Sequence, residues 1–360
     1  MLMVVFGAGA SYDSSIDYKP SDDGHMGLYL RMVPVGLRPP LADQLFELRN
    51  DFAIAAERLP NCLTIIDQLR RRPPDRSVEQ ELEELREHAD GYPEGQRQLL
   101  SIRFYLQWII SQCQEKWNEA IKSATTYRAL LGQIDRQLKG EPVCLITFNY
   151  DTLLEEAFTS LDRKFETLGD YVSRDDYKVI KLHGSVNWTH ELADDMQLHE
   201  SEPVAVANKI IAKADKIAVT DRYHLAADEF HRLHLLSYME KIPGKEGRQG
   251  VFPAIAVPFA TKTEFECPIE QVREVEESIA KTDSLLIIGW KASEERFLKL
   301  LAKMQKNIPK MIVSSGRDSA DQIKSKLQDF GMDGGNWLLG DAGFTDMVKS
   351  GRIEDFIKRP

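Results

Sequence analysis

Polar side chains follow a buried apolar run in the stretch LITFNYD, residues 145–151. They are Thr147, Asn149 and Asp151. Asn149 carries two hydrogen-bond donors and an acceptor and does not titrate, so it can orient a water or a sugar hydroxyl, while Asp151 can accept from an amide. The structural alternative is that Asn149 or Asp151 only caps the helix predicted for the following DTLLEEAF. This stretch alone leaves both interpretations open.

A second polar group ends another apolar run, VIKLHGSVNW, residues 179–188. It brings His183, whose imidazole can act as a general base near neutral pH. A histidine at a strand end can equally be a satisfied structural group. A third stretch, VVFGAGAS, joins an apolar run to the small residues of a turn, namely Gly7, Ala8, Gly9, Ala10 and Ser11.

Small residues at such a turn let backbone amides approach a pyrophosphate. The third glycine of the dinucleotide fingerprint is missing, and Asp22 and Asp23 lie in a polar stretch rather than at a strand end, where that fingerprint has its acidic residue. The turn therefore indicates either nucleotide binding or a tight strand-to-helix connection, and it argues against a standard dehydrogenase.

Six near-continuous apolar runs are typical of strands buried on both faces. They cover residues 2–6, 143–148, 179–182, 254–259, 285–288 and 311–313, and helical periodicity at 269–279 and 297–304 separates the last of them. This predicts an α/β fold, a Rossmann-like parallel sheet of about six strands with helices on both faces. Ligands of such sheets bind at the carboxyl ends of the strands, where Asn149, Asp151 and His183 are expected.

Two stretches interrupt the alternation. Residues 41–140 predict only helices, at 41–59, 78–88, 95–121 and 126–138, and residues 190–250 are polar and mixed. We expect a Rossmann domain formed by residues 1–40 and 141–360, a helical insertion at 41–140, and a smaller module at 190–250.

Composition restricts the function further. The net charge of -11 argues against nucleic acid as the primary ligand. No apolar run is long enough to span a bilayer, and no signal segment opens the sequence. The four cysteines, Cys62, Cys113, Cys144 and Cys267, form no CxxC pair, so neither a zinc ribbon nor a disulfide framework is expected. A reducing cytoplasm fits best.

The motifs GAGAS, TFNYD and KLHGS, in that order, resemble the signature set of the sirtuin superfamily. LLIIGW, residues 285–290, resembles the strand and glycine that this family uses under the adenine ribose. The resemblance covers roughly residues 1–40 and 141–315, and it implies NAD as the ligand. It places Gly289 and Trp290 at the adenosine end, and adds Thr147 and Phe148 to the cofactor-binding residues beside residues 7–11.

Departures from the deacylase sirtuins suggest a branch. Phe148 stands where deacylases carry glutamine, their four-cysteine zinc module has no counterpart, and residues 12–40 show only a loose PPLADQLF in place of their arginine-bearing cofactor loop. The pattern is similar to the sirtuin-like NADases of bacterial anti-phage systems, which destroy NAD when infection is sensed. That implies an NAD hydrolase with no zinc and no other metal.

Cleavage of the bond between nicotinamide and ribose needs a base and a positioned water, and we expect His183 to be that base and Asn149 to orient the nucleophile. Asp151 would hold the nicotinamide carboxamide, and residues 7–11 would cradle the pyrophosphate. The departing pyridinium nitrogen becomes neutral and needs no acid. The products would be nicotinamide and ADP-ribose.

Alternatives remain. The chain could sense NAD or ADP-ribose without catalysis, or be a protein deacylase. His224, Asp228, His231 and His234 share one face if they lie on a helix, and they could hold a metal or form a helix surface or oligomer contact. We expect a homo-oligomer, with the helical insertion as the candidate for assembly, and a separate defence partner such as a HerA-type ATPase or an Argonaute-like protein.

Overall fold

The computed structural model describes residues 1–15, 38–89, 91–121, 124–193, 202–213, 218–226, 238–242, 244–260 and 264–358. Its strands are β1 Leu2–Phe6, β2 Val143–Thr147, β3 Tyr177–Lys181, β4 Gly184–Leu192, β5 Val219–Leu225, β6 Met239–Glu240, β7 Gln249–Ile255, β8 Ser284–Ile288, β9 Lys310–Val313 and β10 Trp337–Leu339. Its α-helices are Ala8–Tyr12, Asn50–Arg58, Leu63–Arg71, Val78–Ala89, Pro93–Ile121, Thr126–Leu138, Leu153–Thr159, Asp170–Ser173, Pro203–Ala212, Ile269–Lys281, Glu295–Leu301, Arg317–Asp329, Phe344–Lys349 and Arg352–Ile357. Short 3₁₀ helices cover Ala42–Gln44 and Pro60–Cys62.

Contacts divide the chain into two compact units. The first comprises Met1–Pro39, Cys113–Leu182 and Ile269–Pro360. It holds a six-stranded sheet in the order β10-β9-β8-β1-β2-β3, in which every pair is parallel. When the six strands of this sheet are numbered 1 to 6 along the chain and read from the β3 edge, their order is 3-2-1-4-5-6. This is the order of dinucleotide-binding folds, and its topological switch point lies between β1 and β8. The predicted Rossmann-like fold is confirmed.

The sequence of the central strands follows from their position in this sheet. All five residues of β1 and all five of β2 are buried. A strand covered by helices on both faces has no solvent side, so its residues are apolar without alternation. This is why LMVVF and VCLIT could be recognised as strands from sequence.

One predicted strand belongs elsewhere. The apolar run at 254–259 was expected in the parallel sheet, but its first two residues end β7, an antiparallel strand of the second unit, and the strand stops at Ile255. The sixth strand of the parallel sheet is β10, which the sequence analysis missed. It has only three residues, all half-buried, because it is an edge strand and needs no long apolar run.

The second unit comprises Pro40–Gln112 and His183–Pro268. Its four-stranded sheet has the order β5-β4-β7-β6, with antiparallel pairs. Residues 113–140 of the predicted insertion thus group with the parallel sheet, and residues 40–112 group with the second sheet. The division into an insertion at 41–140 and a module at 190–250 stays a prediction about domains.

The helix predictions differ in accuracy. Thr126–Leu138 has the predicted bounds: Thr125 caps its start by accepting from the Arg128 amide, and Lys139 ends it in a left-handed conformation. The helix predicted at 41–59 is broken instead, with a 3₁₀ turn first and a helix only from Asn50. The helix interpretation of His224 was wrong, because His224 lies on β5; Asp228, His231 and His234 lie outside the described residues.

Candidate functional site

The carboxyl ends of β1 and β8 meet through their backbones at the switch point. The Gly7 amide donates to the Ile288 carbonyl at 3.0 Å, and the Gly9 amide donates to the Gly289 carbonyl at 3.1 Å. A Cβ atom on Gly7 would stand 2.6 Å from the Gly289 carbonyl oxygen. Only glycine permits this approach, and this explains the residue type at position 7 in physical terms.

Three backbone amides of the turn at residues 7–11 donate hydrogen bonds within the protein. The Gly7 and Gly9 amides donate to the carbonyls at the end of β8, and the Ala10 amide donates to the Gly7 carbonyl at 2.8 Å. The short helix Ala8–Tyr12 then begins, with Ala10 and Ser11 buried. The role of residues 7–11 toward a pyrophosphate stays a prediction, and the three engaged amides limit which donors could serve it.

Aromatic side chains cover the same end of the sheet. Phe148, whose amide donates to the Phe6 carbonyl at 3.0 Å, stacks on Trp290 with ring centroids 5.3 Å apart and planes 9° apart. Phe297 packs edge-on against both rings. The Trp290 indole nitrogen donates to Glu294 at 2.5 Å. The structure thus brings together two residues, Phe148 and Trp290, that the sequence analysis assigned to cofactor binding.

Asn149 lies in a buried cluster of polar side chains. Its amide nitrogen Nδ2 donates to Ser11 Oγ at 2.9 Å and to Tyr127 Oη at 3.1 Å, and these two hydroxyls are 3.0 Å from each other. Burial, and next the charge of Asp151, raise the pKa of Tyr127 well above its ordinary value, so the phenol is neutral. The cluster therefore fixes the plane of the Asn149 amide.

The oxygen of the Asn149 amide differs from the nitrogen in its hydrogen bonds. Asn149 Oδ1 is buried and has no hydrogen-bond partner among the described residues. Asn149 also does not cap the following helix; its backbone amide instead donates to Thr147 Oγ1 at 3.0 Å. A buried acceptor without a partner is costly in a folded protein and is most simply explained by a donor that arrives with a ligand or a water.

Asp151 does bind the start of that helix. Its Oδ1 accepts from the Leu153 amide at 3.1 Å, at the first residue of Leu153–Thr159, while the N-cap residue, Thr152, makes no capping hydrogen bond with its own side chain. Burial raises the pKa of Asp151, and the nearby Lys181 ammonium opposes that rise. The capping alternative is therefore present in the structure, and a role for Asp151 toward the nicotinamide carboxamide stays a prediction.

A buried ion pair supports this turn from β3. Lys181 is fully buried; its Nζ lies 2.8 Å from Glu155 Oε1 and donates to the Asp151 carbonyl. Tyr171 donates to the same Glu155 oxygen at 3.1 Å. An ammonium so deeply buried persists only where it is paired, and here the pairing holds the residues that follow β2.

His183 is the first residue of the second unit. It directly follows Leu182, whose amide donates to the Thr147 carbonyl at 3.1 Å. His183 is buried, and its own carbonyl accepts from the Ala256 amide at 2.9 Å. Its expected place beside Asn149 and Asp151 and its catalytic role both stay predictions.

Sequence reasoning missed two polar residues of the first unit, Tyr127 and Lys181. Tyr127 was hidden at the start of a helix read as part of an insertion, where nothing in the local pattern links it to Asn149. Lys181 had a visible signal, because it interrupts the apolar run VIKL, and a charge within a buried strand requires a partner.

The described residues lack three kinds of feature. No three His, Cys, Asp or Glu side chains there are grouped so that they could hold a metal ion. Among the helices of the described ranges, none combines the length and apolar character needed to cross a membrane. The four cysteines are buried and unpaired with one another.

Comparison with known proteins identifies the sequence family. The SIR2-like domain family matches residues 143–333, more than half of the chain. A structure of Sir2 with a p53 peptide and NAD+ is similar at a TM-score of 0.38 and 13% identity, covering 99% of this chain and 93% of that one. A structure described as the structural basis of sirtuin substrate affinity has a TM-score of 0.36 and 14% identity, covering 98% and 93%. Comparison with curated proteins gives no match.

Proposed function

The chain belongs to the SIR2-like domain family, and from this premise we propose that it is an NAD glycohydrolase. It cleaves the bond between nicotinamide and ribose and releases nicotinamide and ADP-ribose. The supporting fold is a parallel sheet with the strand order of dinucleotide-binding proteins, whose switch point carries the GAGAS turn.

The observation that carries the proposal is the state of Asn149. At the carboxyl end of β2, a side chain that cannot titrate is held by its nitrogen while its oxygen is buried without a partner among the described residues. Such a group accepts a hydrogen bond from a water or a sugar hydroxyl and so orients it. Hydrolysis at the anomeric carbon needs a water fixed in this way.

The remaining steps are assigned to residues that the sequence indicated. His183 takes the proton from the attacking water, directly or through a ribose hydroxyl. The bond from the anomeric carbon to the nicotinamide nitrogen breaks with its electron pair on nitrogen, so the leaving group needs no proton. Asp151 orients the carboxamide, and Gly289 and Trp290 border the adenosine end.

The physiological proposal follows the resemblance to anti-phage NADases. The chain acts as an NAD-depleting effector in the cytoplasm and is kept quiet until a partner or self-assembly activates it, because constant NAD loss would be toxic. The partner is a separate defence protein, for which a HerA-type ATPase and an Argonaute-like protein are the candidates. Size measured by light scattering, together with specific activity over a range of protein concentrations, tests the assembly part.

The first test is nicotinamide release from NAD by the purified chain, beside Asn149→Ala and His183→Ala. Each substitution should lower the rate by about 100-fold or more, the scale of a lost general base or of water positioning. Asn50→Ala and His88→Ala, at exposed positions in the described chain, are the matched controls and should keep the parental rate.

The outcomes separate the candidates. Release that survives both site substitutions would show that these residues do not catalyse it. An inactive parent that still binds NAD or ADP-ribose, at every protein concentration and with the candidate partners present, would favour a sensor. Loss of an acetyl group from a lysine peptide would favour the deacylase.

A further inference from the structure

We propose that Tyr127 is a positioning residue for this reaction: with Ser11 it holds the Asn149 amide so that Oδ1, and not Nδ2, faces the ligand. The inference rests on the proposed function for its kinetic consequence, but its geometric part concerns only the folded chain. Tyr127 and Ser11 both lie outside residues 143–333, which match the SIR2-like domain family.

The counting of donors carries the argument. Both N–H donors of a primary amide are on its nitrogen, and Asn149 Nδ2 donates to Ser11 Oγ at 2.9 Å and to Tyr127 Oη at 3.1 Å. The hydroxyls are also bonded to each other, so the three side chains form a closed triangle. The nitrogen thus has two partners, while Oδ1 has none among the described residues and is the polar atom of this side chain left for a ligand.

The neighbours of Tyr127 keep its hydroxyl in this place. Its ring packs against Phe6 and Phe344, with centroids 5.2 and 5.5 Å away. The preceding residue, Thr126, donates its amide to Ser14 Oγ at 3.2 Å, and its hydroxyl lies 2.8 Å from that of Thr345. The ring therefore cannot swing away without disturbing the turn after β1 and the C-terminal helices.

The arrangement has a chemical consequence. Hydrogen bonds given by the amide nitrogen polarise the amide and strengthen its oxygen as an acceptor. An oxygen so placed accepts from the attacking water or from a ribose hydroxyl, and does not donate to an acceptor on the substrate. Removal of the Tyr127 hydroxyl should loosen this orientation while leaving the ring packing intact.

The kinetic test is Tyr127→Phe beside Tyr177→Phe. Both remove a buried phenol hydroxyl from the first unit, but Tyr177 donates to Asp135 at 2.9 Å, whereas the hydrogen bonds of the triangle join only Ser11, Tyr127 and Asn149. We expect Tyr127→Phe to lower kcat about tenfold with little change in KM, the scale of one lost hydrogen bond. Tyr177→Phe should keep kcat.

A second readout reports on the water itself. With methanol added, the ADP-ribosyl group is captured by water or by methanol, giving ADP-ribose or its methyl glycoside while nicotinamide leaves in both cases. If Asn149 orients the water, Tyr127→Phe should shift the product ratio toward the methyl glycoside. If the substitution only lowers the amount of folded enzyme, the product ratio should not change. The proposal would be overturned if Tyr127→Phe gave the same product ratio and the same kcat as Tyr177→Phe.

The geometric part is tested by NMR with selectively labelled asparagine, which needs no activity. The Asn149 side-chain amide signals, identified by their loss in Asn149→Ala, should exchange with water slowly in the parent and in Tyr177→Phe, and faster in Tyr127→Phe. Equal exchange in all three proteins would reject the triangle. If the parent releases no nicotinamide at any protein concentration, with the candidate partners present, yet shows this pattern, the proposed function fails and the Tyr127 arrangement stands.

Discussion

At the scale of single residues, the region after β2 is rich in buried polar groups held by hydrogen bonds. One of them is Glu156, which accepts from Gln114 at 2.6 Å, from Asn118 at 2.5 Å and from Thr152 at 3.1 Å. Burial raises the pKa of Glu156 to about 7 from 4.5, although all three donors act to lower it. Desolvation therefore outweighs the hydrogen bonds here.

This shift predicts a pH dependence of stability. Below pH 4.5 the Glu156 carboxyl is protonated in the folded and the unfolded chain, so it does not affect their balance. Between 4.5 and about 7 the unfolded chain releases the proton first, so the free energy of unfolding falls as pH rises. Glu156→Gln should lack this loss. In urea unfolding, the difference in free energy of unfolding between this variant and the parent should therefore rise by about 2 to 3 kcal/mol in favour of the variant between about pH 5 and pH 8.

The NH₂ group that Glu156→Gln introduces can find an acceptor, so it need not face the NH₂ group of Asn118. Asn118 Oδ1 is buried without a partner among the described residues, so a turn of that amide presents an acceptor to the new NH₂ group. Glu57→Gln, at an exposed position of helix Asn50–Arg58, is the control and should give a constant difference from the parent across this pH range. A Glu156→Gln difference that is also constant would contradict the prediction.

At the scale of elements, the β1–turn–helix unit depends on how closely β8 approaches it. Gly289 directly follows β8 and has φ +61°, and a Cβ there would stand 2.2 Å from the Ala10 nitrogen. That neighbour is backbone, so it cannot move without shifting the turn. The switch point of the sheet is thus held by direct backbone contact between two elements.

Gly289→Ala should therefore lower the free energy of unfolding by about 3 kcal/mol or more, at or beyond the usual range for overpacking. The matched control is Gly140→Ala, because Gly140 also has positive φ, +92°, but nothing lies within 4 Å of its Cβ position. That variant should lose only about 1 kcal/mol, from backbone strain alone. Equal losses in urea unfolding would show that the close approach contributes nothing.

How much the sequence could predict depends on whether an element's signal is local. β1 and β2 were predictable because burial on both faces produces continuous apolar runs. β10 was not, because an edge strand of three half-buried residues carries no such run. Asn149 could be predicted from its position after β2, but Tyr127 could not, since its contact with Asn149 arises from tertiary packing across 22 residues of sequence.

At the scale of the whole molecule, the relevant quantity is the charge. The chain has 46 Lys and Arg against 57 Asp and Glu, a formal net charge of -11. Charge of this size sets up a field that reaches beyond any one contact. The proposed substrate, NAD, is itself an anion, so the long-range field would oppose its approach, and the free energy of binding would have to come from short-range contacts.

Salt should therefore assist the proposed reaction. Between about 0.01 and 0.15 M ionic strength the Debye length shortens from about 30 to 8 Å, which screens the repulsion between the chain and NAD. We expect KM for NAD to fall by about twofold over this range while kcat stays constant. Inhibition by nicotinamide, which is neutral, is the control and should not change with salt. A KM that rises with salt would mean that cationic groups at the site outweigh the net charge, and those groups would then be the next residues to identify by substitution.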